Sequence, residues 1–417
     1  MGEKASLIKN EVKVKFDFGS VEEKREKIEQ ACRDRDLNMI ANLALSTDGL
    51  LADDIRQEVW PLFLGYAHFT EDGIKPANPR REDWEKLPPH KDEDQVRLDV
   101  DRSFVYYPKN MSPRETADRK KELSRLIIEV LRRHPMLCYF QGFHDICQVF
   151  LLVLGVEAAV MATEHIALLR IRDFMLPSLG PALDHLHLLY PLLLSADKRL
   201  CEHLSRTKPF FALAATLTLY AHDIQEYSNI ARLFDVFLAT DPVFPLYLFA
   251  QVVLQRRDEL FDIPDDEPEM LHSVLSKLPK PLDLEGLISK ALLLLGKYPP
   301  EKLSTWVQIS NKSVLKTSRR AGPFRSKDRP AHPDLRQAEC LLLKQTAEVD
   351  RKRKLKEICD QVTRYKPQAI KIGVTVVVGL SAIAIGAYLS KSSTLGWAEV
   401  GKPLGFVKLV LNYFRRS

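Results

Sequence analysis

The helix period narrows the folds open to this chain more than any other pattern in it. In "RKKELSRLIIEVLRRHP", Arg119 to Pro135, the apolar residues Leu123, Leu126, Ile127, Val130 and Leu131 recur every three or four positions. They mark one face of a helix, with Glu122, Arg125, Glu129 and Arg132 expected on the other and Pro135 as the stop. Similar runs cover Ile55–Leu64, Val156–Met175, His185–Leu204 and Leu284–Leu295, separated by breakers such as "LPSLGP", "SRTKP" and "IPDDEPE". Alternating, strand-like runs are few and no internal repeat is evident, so an all-α body is expected. At 417 residues and 45% apolar, the chain has enough material for a sizeable core.

Two apolar stretches compete for the reading of a membrane span. Between Lys371 and Lys391 lies "IGVTVVVGLSAIAIGAYLS", 19 residues without a charge. As a helix it is about 28 Å long, close to the thickness of a bilayer's hydrocarbon. Its small residues, and Arg364 and Lys366 ahead of it, suit a transmembrane helix over 372–390. The other stretch, Phe234 to Gln255, contains Asp235 and Asp241 and is broken by Pro242 and Pro245, so two core helices joined at "TDP" are expected there.

Charge is unevenly spread. From Lys312 to Glu357 there are 14 Lys/Arg against 6 Asp/Glu, including "RKRKLK" at 351–356. Beside an apolar stretch, such a block points to anionic lipid headgroups and not to nucleic acid. The six cysteines form no CxxC pair and sit mostly among apolar neighbours, as packed, reduced thiols do. "MGEKASLIKNEVKVKF" carries charges throughout and does not read as a cleavable signal peptide.

Catalytic patterns are scarce. No GxxxxGK[ST] or GxSxG occurs, and no GxGxxG follows a strand. His185, His187, Glu164 and His165 lack the further ligands that a zinc site needs, so no metal site is expected. In "LCYFQGFHDICQVF", Cys138, Cys147 and His144 read as packing residues. Asp99 and Arg102, three apart in "QVRLDVDRSFVYYP", read alone as an ion pair on one helical turn, and Gln141 as a polar loop residue.

Together these residues resemble the two signature motifs of TBC-domain Rab GTPase-activating proteins. Val96, Asp99 and Arg102 look like IxxDxxR, and Tyr139 and Gln141, followed by Gly142, look like YxQ. About 40 residues and one amphipathic helix separate the two, and Arg56, Trp60 and Asp235 resemble further family positions within Leu50–Gln255. Val96 stands for the usual isoleucine, Ser103 for a threonine, and His144 where asparagine is frequent.

The resemblance implies an activator that works in trans, with Arg102 as an arginine finger and Gln141 as a glutamine finger. Asp99 and Tyr139, with Val96 and Gly142, are the expected supports. The implied partner is a GTP-bound Rab of the early secretory, ER-to-Golgi route, and GTP and Mg belong to that partner, leaving this chain no cofactor of its own. The alternative is a membrane-anchored Rab-binding scaffold without activity. The expected order is an N-terminal helical extension (1–49), the Rab-GAP core (50–255), a helical remainder of the body (256–311) and a basic Pro/Arg-rich linker (312–334). A charged helical stalk (335–371), the anchor (372–390) and a basic amphipathic tail (391–417) follow, which implies an endoplasmic reticulum membrane with the core in the cytosol.

Overall fold

The computed structural model describes residues 19–70, 73–76, 83–321 and 334–360. The chain divides into two compact units, 1–349 and 350–417; of the second, 350–360 are described and are helical. Helices build the first unit. Those that position the site are α1 (Asp53–Leu64), α2 (Glu93–Val100), α3 (Pro113–Arg133), α4 (Phe143–Leu154), α5 (Val156–Leu169), α6 (Tyr227–Ala239) and α7 (Phe244–Gln255), followed later in the chain by α8 (Leu284–Lys297) and α9 (Val314–Ala321). A short antiparallel hairpin, β1 (Ala67–Thr70) with β2 (Gly73–Pro76), is the strand content among the described residues.

Helix α3 begins earlier than the apolar period shows, because its start is set by a cap. Ser112 Oγ accepts from Glu115 N at 3.2 Å, Glu115 Oε2 accepts from Ser112 N at 2.7 Å, and Pro113 fills a position that needs no donor. It ends at Arg133, since residues just before Pro135 are steered away from helical ψ. Leu123, Leu126, Ile127, Val130 and Leu131 are fully buried. Glu129, expected on the solvent face, is buried as well, and its Oε1 accepts from Arg133 Nε at 3.0 Å. Charge alone does not mark a helix's outer face when a partner lies four residues on.

Helices α4 and α5 pack on α3, and α1 closes over α4. Trp60 of α1 meets Phe150 of α4 edge-on and Phe234 of α6, both with centroids 5.9 Å apart. Asp235, fully buried beside them, accepts from Trp60 Nε1 at 2.8 Å, Arg56 Nε at 3.0 Å and Leu50 N at 3.0 Å. Four donor contacts, counting Arg56 Nη2 at 3.1 Å, hold a carboxylate where an unpaired one would be prohibitively costly.

The stretch 234–255 is two helices, α6 and α7, parted at 240–243, and both are buried nearly all round. Among the described residues no helix is long and apolar enough to cross a membrane. The expected anchor (372–390), the tail (391–417) and residues 322–333 of the expected linker lie outside the described residues, whereas 314–321, also read as linker, form α9 with Val314 and Leu315 buried.

Three other expectations change. His185–Leu204, read as one amphipathic run, is three short helices, Gly180–Leu186, Leu189–Ala196 and Lys198–His203, the last started afresh by Asp197 Oδ1 accepting from Leu200 N at 3.0 Å. Val156–Met175 is helical only to Leu169 and then tightens into a 3-10 turn at Arg172–Phe174. Residues 335–349, read as the beginning of a stalk, are helical and belong to the body, with Ala338, Leu342 and Gln345 buried.

Candidate functional site

Arg102 stands just past the end of α2, where its own N–H still bonds Asp99 O at 3.1 Å. Val96 and Asp99 face inward on that helix and are fully buried, so the short element is pinned by its apolar side and by a buried carboxylate in its last turn. Asp99 Oδ1 accepts from Gln95 Nε2 at 3.0 Å and from Arg102 Nη2, and Oδ2 accepts from the Tyr139 hydroxyl at 2.9 Å. The Arg102 side chain is 63% exposed. One guanidinium nitrogen is held at the base while the rest of its planar fork faces outward.

Gln141 arrives from the other side. The segment after α3 is fastened by Cys138 N to Met175 O (2.9 Å) and Tyr139 N to Asp92 Oδ2 (2.9 Å), and it turns into α4 at Gly142. Gly142 has φ +101°, and a Cβ there would sit 2.5 Å from Thr218 Cγ2, so both backbone and space require glycine. Gln141 is exposed, and its carboxamide has no hydrogen-bond partner among the described residues.

Arg102 and Gln141 line the same groove, about 530 Å³ in volume. Ser103 to Tyr107 form one wall, Phe210 to His222 the facing one, and Gly142, His144, Asp145 and Gln148 the floor. Val105 (72% exposed), Tyr106 and Phe210 present apolar surface at the rim. An open groove with apolar edges and a few polar groups fits the surface of another protein better than an enclosed small-molecule site.

A chain of polar contacts runs under the floor. Because a carboxylate only accepts, the Tyr139 proton goes to Asp99, and the hydroxyl oxygen accepts from His144 Nδ1 at 3.1 Å. His144 Nε2 lies 3.3 Å from Asp145 Oδ1, and Asp145 Oδ2 is 3.0 Å from His222 Nδ1. Burial holds the His144 pKa below its ordinary value despite the two carboxylates, whereas the hydrogen bond to Asp145 raises that of His222. Burial, then the Asp99 charge, keep the Tyr139 hydroxyl protonated. His144 is therefore part of a polar network, which corrects its reading as packing; Cys147 is buried, with its thiol pKa pushed up by desolvation.

The structure thus brings together Asp99, Arg102, Tyr139, Gln141 and Gly142 of the residues singled out in the sequence, with Val96 buried one turn before Asp99 on α2. Tyr139 reaches Asp99 with its side chain, which adjacency to Gln141 does not suggest. Asp145, Gln148 and His222 were missed, since a helix interior and a distant loop carry no local signal for a groove.

Comparison with known proteins adds a family. The profile of the Rab-GTPase-TBC domain matches residues 53–261. The chain is 31% identical to mouse (Mus musculus) TBC1 domain family member 20, across 87% of each protein. It is 30% identical to "GTPase-activating protein gyp10" of Schizosaccharomyces pombe, over 72% of this chain and 79% of that one. Among solved structures, the Ypt/Rab-GAP domain of Gyp1p superposes with a TM-score of 0.46 at 16% identity, covering 67% of this chain and all of that one.

Proposed function

Because the chain belongs to the Rab-GTPase-TBC family of Rab GTPase-activating proteins, we propose that it stimulates GTP hydrolysis by lending a Rab two side chains, Arg102 and Gln141. The observation that carries this is their shared groove, in which the guanidinium is tethered at one nitrogen and the carboxamide is uncommitted. In GTP hydrolysis negative charge spreads over the transferring γ-phosphoryl, and a fixed cation beside it lowers the barrier. Arg102 supplies that cation. A carboxamide donates to a phosphate oxygen and accepts from the attacking water at once, so Gln141 aligns the water. Asp99 and Tyr139 hold the arginine's base, and GTP and Mg come with the Rab.

The test is single-turnover GTP hydrolysis by a panel of Rabs with the full chain. Arg102→Ala is expected to lower the stimulated rate by roughly 10³-fold or more, and Gln141→Ala to lower it severely, while both variants still bind the Rab. An unchanged rate in either variant refutes the two-finger assignment. A chain that binds Rabs and stimulates none is the scaffold.

We further assign 372–390 as a bilayer anchor and 351–356 as its contact with anionic headgroups, on the endoplasmic reticulum with the body in the cytosol and ER-to-Golgi Rabs as targets. Its supports are the uncharged 19-residue stretch and the exposed basic helix at 350–360 ahead of it, where Leu355 and Ile358 are also exposed. Confinement to the membrane that carries a lipidated Rab raises the effective concentration of each for the other. Deleting 372–390 is expected to release the protein from membranes in fractionation.

A further inference from the structure

The loop that carries Arg102 has an unusual backbone. Phe104, two residues on, sits at φ +61°, a left-handed conformation that a bulky side chain adopts only when something holds it. Its ring is buried, and the hydroxyl of neighbouring Ser103 is buried without a partner, so these two side chains supply no polar restraint of their own.

The restraint comes from α4. Gln148, buried in the floor of the groove, accepts from Phe104 N at 3.0 Å with Oε1 and donates to Tyr107 O at 3.4 Å with Nε2. One carboxamide thereby spans the loop. Two weaker ties complete the fastening: Lys120 Nζ of α3 donates to Asp101 O, and the Tyr107 hydroxyl donates to Ala221 O at 3.3 Å across the groove. The Lys120 bond is open to solvent, where it contributes little. Gln148 also lies about one and a half turns along the helix that Gln141 and Gly142 introduce.

We infer that Gln148 is a positioning residue, which fixes the Arg102 loop to the helix that presents Gln141 and so sets the distance between the two fingers. This rests on the reading of Arg102 as the arginine finger. Without the carboxamide, Phe104 relaxes toward negative φ, and the guanidinium two residues earlier loses its aim. Catalysis by a supplied charge is steeply sensitive to such misplacement.

Gln148→Met keeps the volume and removes both hydrogen bonds. At about 1 kcal/mol for each buried bond, the maximal single-turnover rate with a responsive Rab is expected to fall roughly 10- to 100-fold, with the half-saturating concentration changed less than about threefold. In an Arg102→Ala background the same substitution is expected to cost nothing further. In the free protein, hydrogen exchange at the Phe104 amide is expected to quicken at least about tenfold, with Leu126 and Ile127 of α3 unaltered, which separates a loosened loop from an unfolded body. An unchanged maximal rate, or an equal loss in the Arg102→Ala background, overturns the inference. If the wild-type chain stimulates no Rab, the functional reading fails, and the exchange measurement still decides whether Gln148 holds the loop; unaltered Phe104 exchange refutes it.

Discussion

At residue 142 the backbone turns into α4 through a left-handed conformation that lies against Thr218. Gly142→Ala therefore carries two separable costs: the strain of φ +101° on a side-chain residue, about 1–2 kcal/mol, and a clash with Thr218 Cγ2. Urea denaturation should show both, and adding Thr218→Ser should return only the clash, because serine keeps the hydroxyl that bonds Ala214 O at 2.9 Å. Complete recovery in the double variant would mean that backbone strain is not a cost here. Residues of this kind were legible in the sequence only as members of a motif. "YFQG" shows that a glycine follows the glutamine, but the threonine that forbids a methyl group lies 76 positions away. Gln148 was illegible for a related reason: a glutamine inside an apolar helix looks like an imperfection until the loop it fastens is folded over it.

Elements were legible where one face repeats and obscure where a turn interrupts. Helix α3 declares itself through five buried residues at helical spacing, whereas Val156–Met175 hides a tight turn whose polar residues serve as a junction. In that turn Asp173 is fully buried and accepts from His185 Nε2 at 2.7 Å, from Gln345 Nε2 at 2.7 Å and from Ser313 Oγ. Burial opposes its ionisation, yet the hydrogen bonds from His185 and Ser313 and the neighbouring Arg172 charge outweigh it, so its carboxyl lies below the usual aspartate value. A depressed carboxyl pKa stabilises the fold above the unfolded value, roughly pH 4, and that contribution is lost as pH falls through the folded value. Asp173→Asn is expected to cost on the order of 3 kcal/mol at neutral pH, and to flatten the decline of stability below about pH 4. An acid-unfolding profile parallel to wild type would show that this carboxylate does not drive the acid transition.

The body as a whole is longer than its family match. Residues 53–261 carry both motifs, but 335–349 complete the fold: Gln345 accepts from Arg172 Nε at 2.6 Å while donating to Asp173, and Glu339 Oε1 lies 2.7 Å from His134 Nδ1. Cutting the chain at 321 leaves the buried Arg172 and Asp173 short of a partner and uncovers the ground under Ala338 and Leu342. A fragment ending at 321 is expected to melt roughly 5 °C or more below one ending at 360, and equal melting temperatures would show that this helix contributes nothing. The sequence suggested otherwise because 335–360 is dense in charge, and three buried positions spaced along one helical stripe are easily lost in it.

Asp99 joins two stretches of chain that are translated 40 residues apart, and this bears on how such a site can be inherited. Its carboxylate takes Arg102 from one stretch and the Tyr139 hydroxyl from the other. A substitution at Tyr139 removes a donor from a buried charge that cannot move, and the imbalance falls on the arginine. The two motifs are therefore expected to change together, so that relatives that have lost the tyrosine should more often have lost the arginine as well.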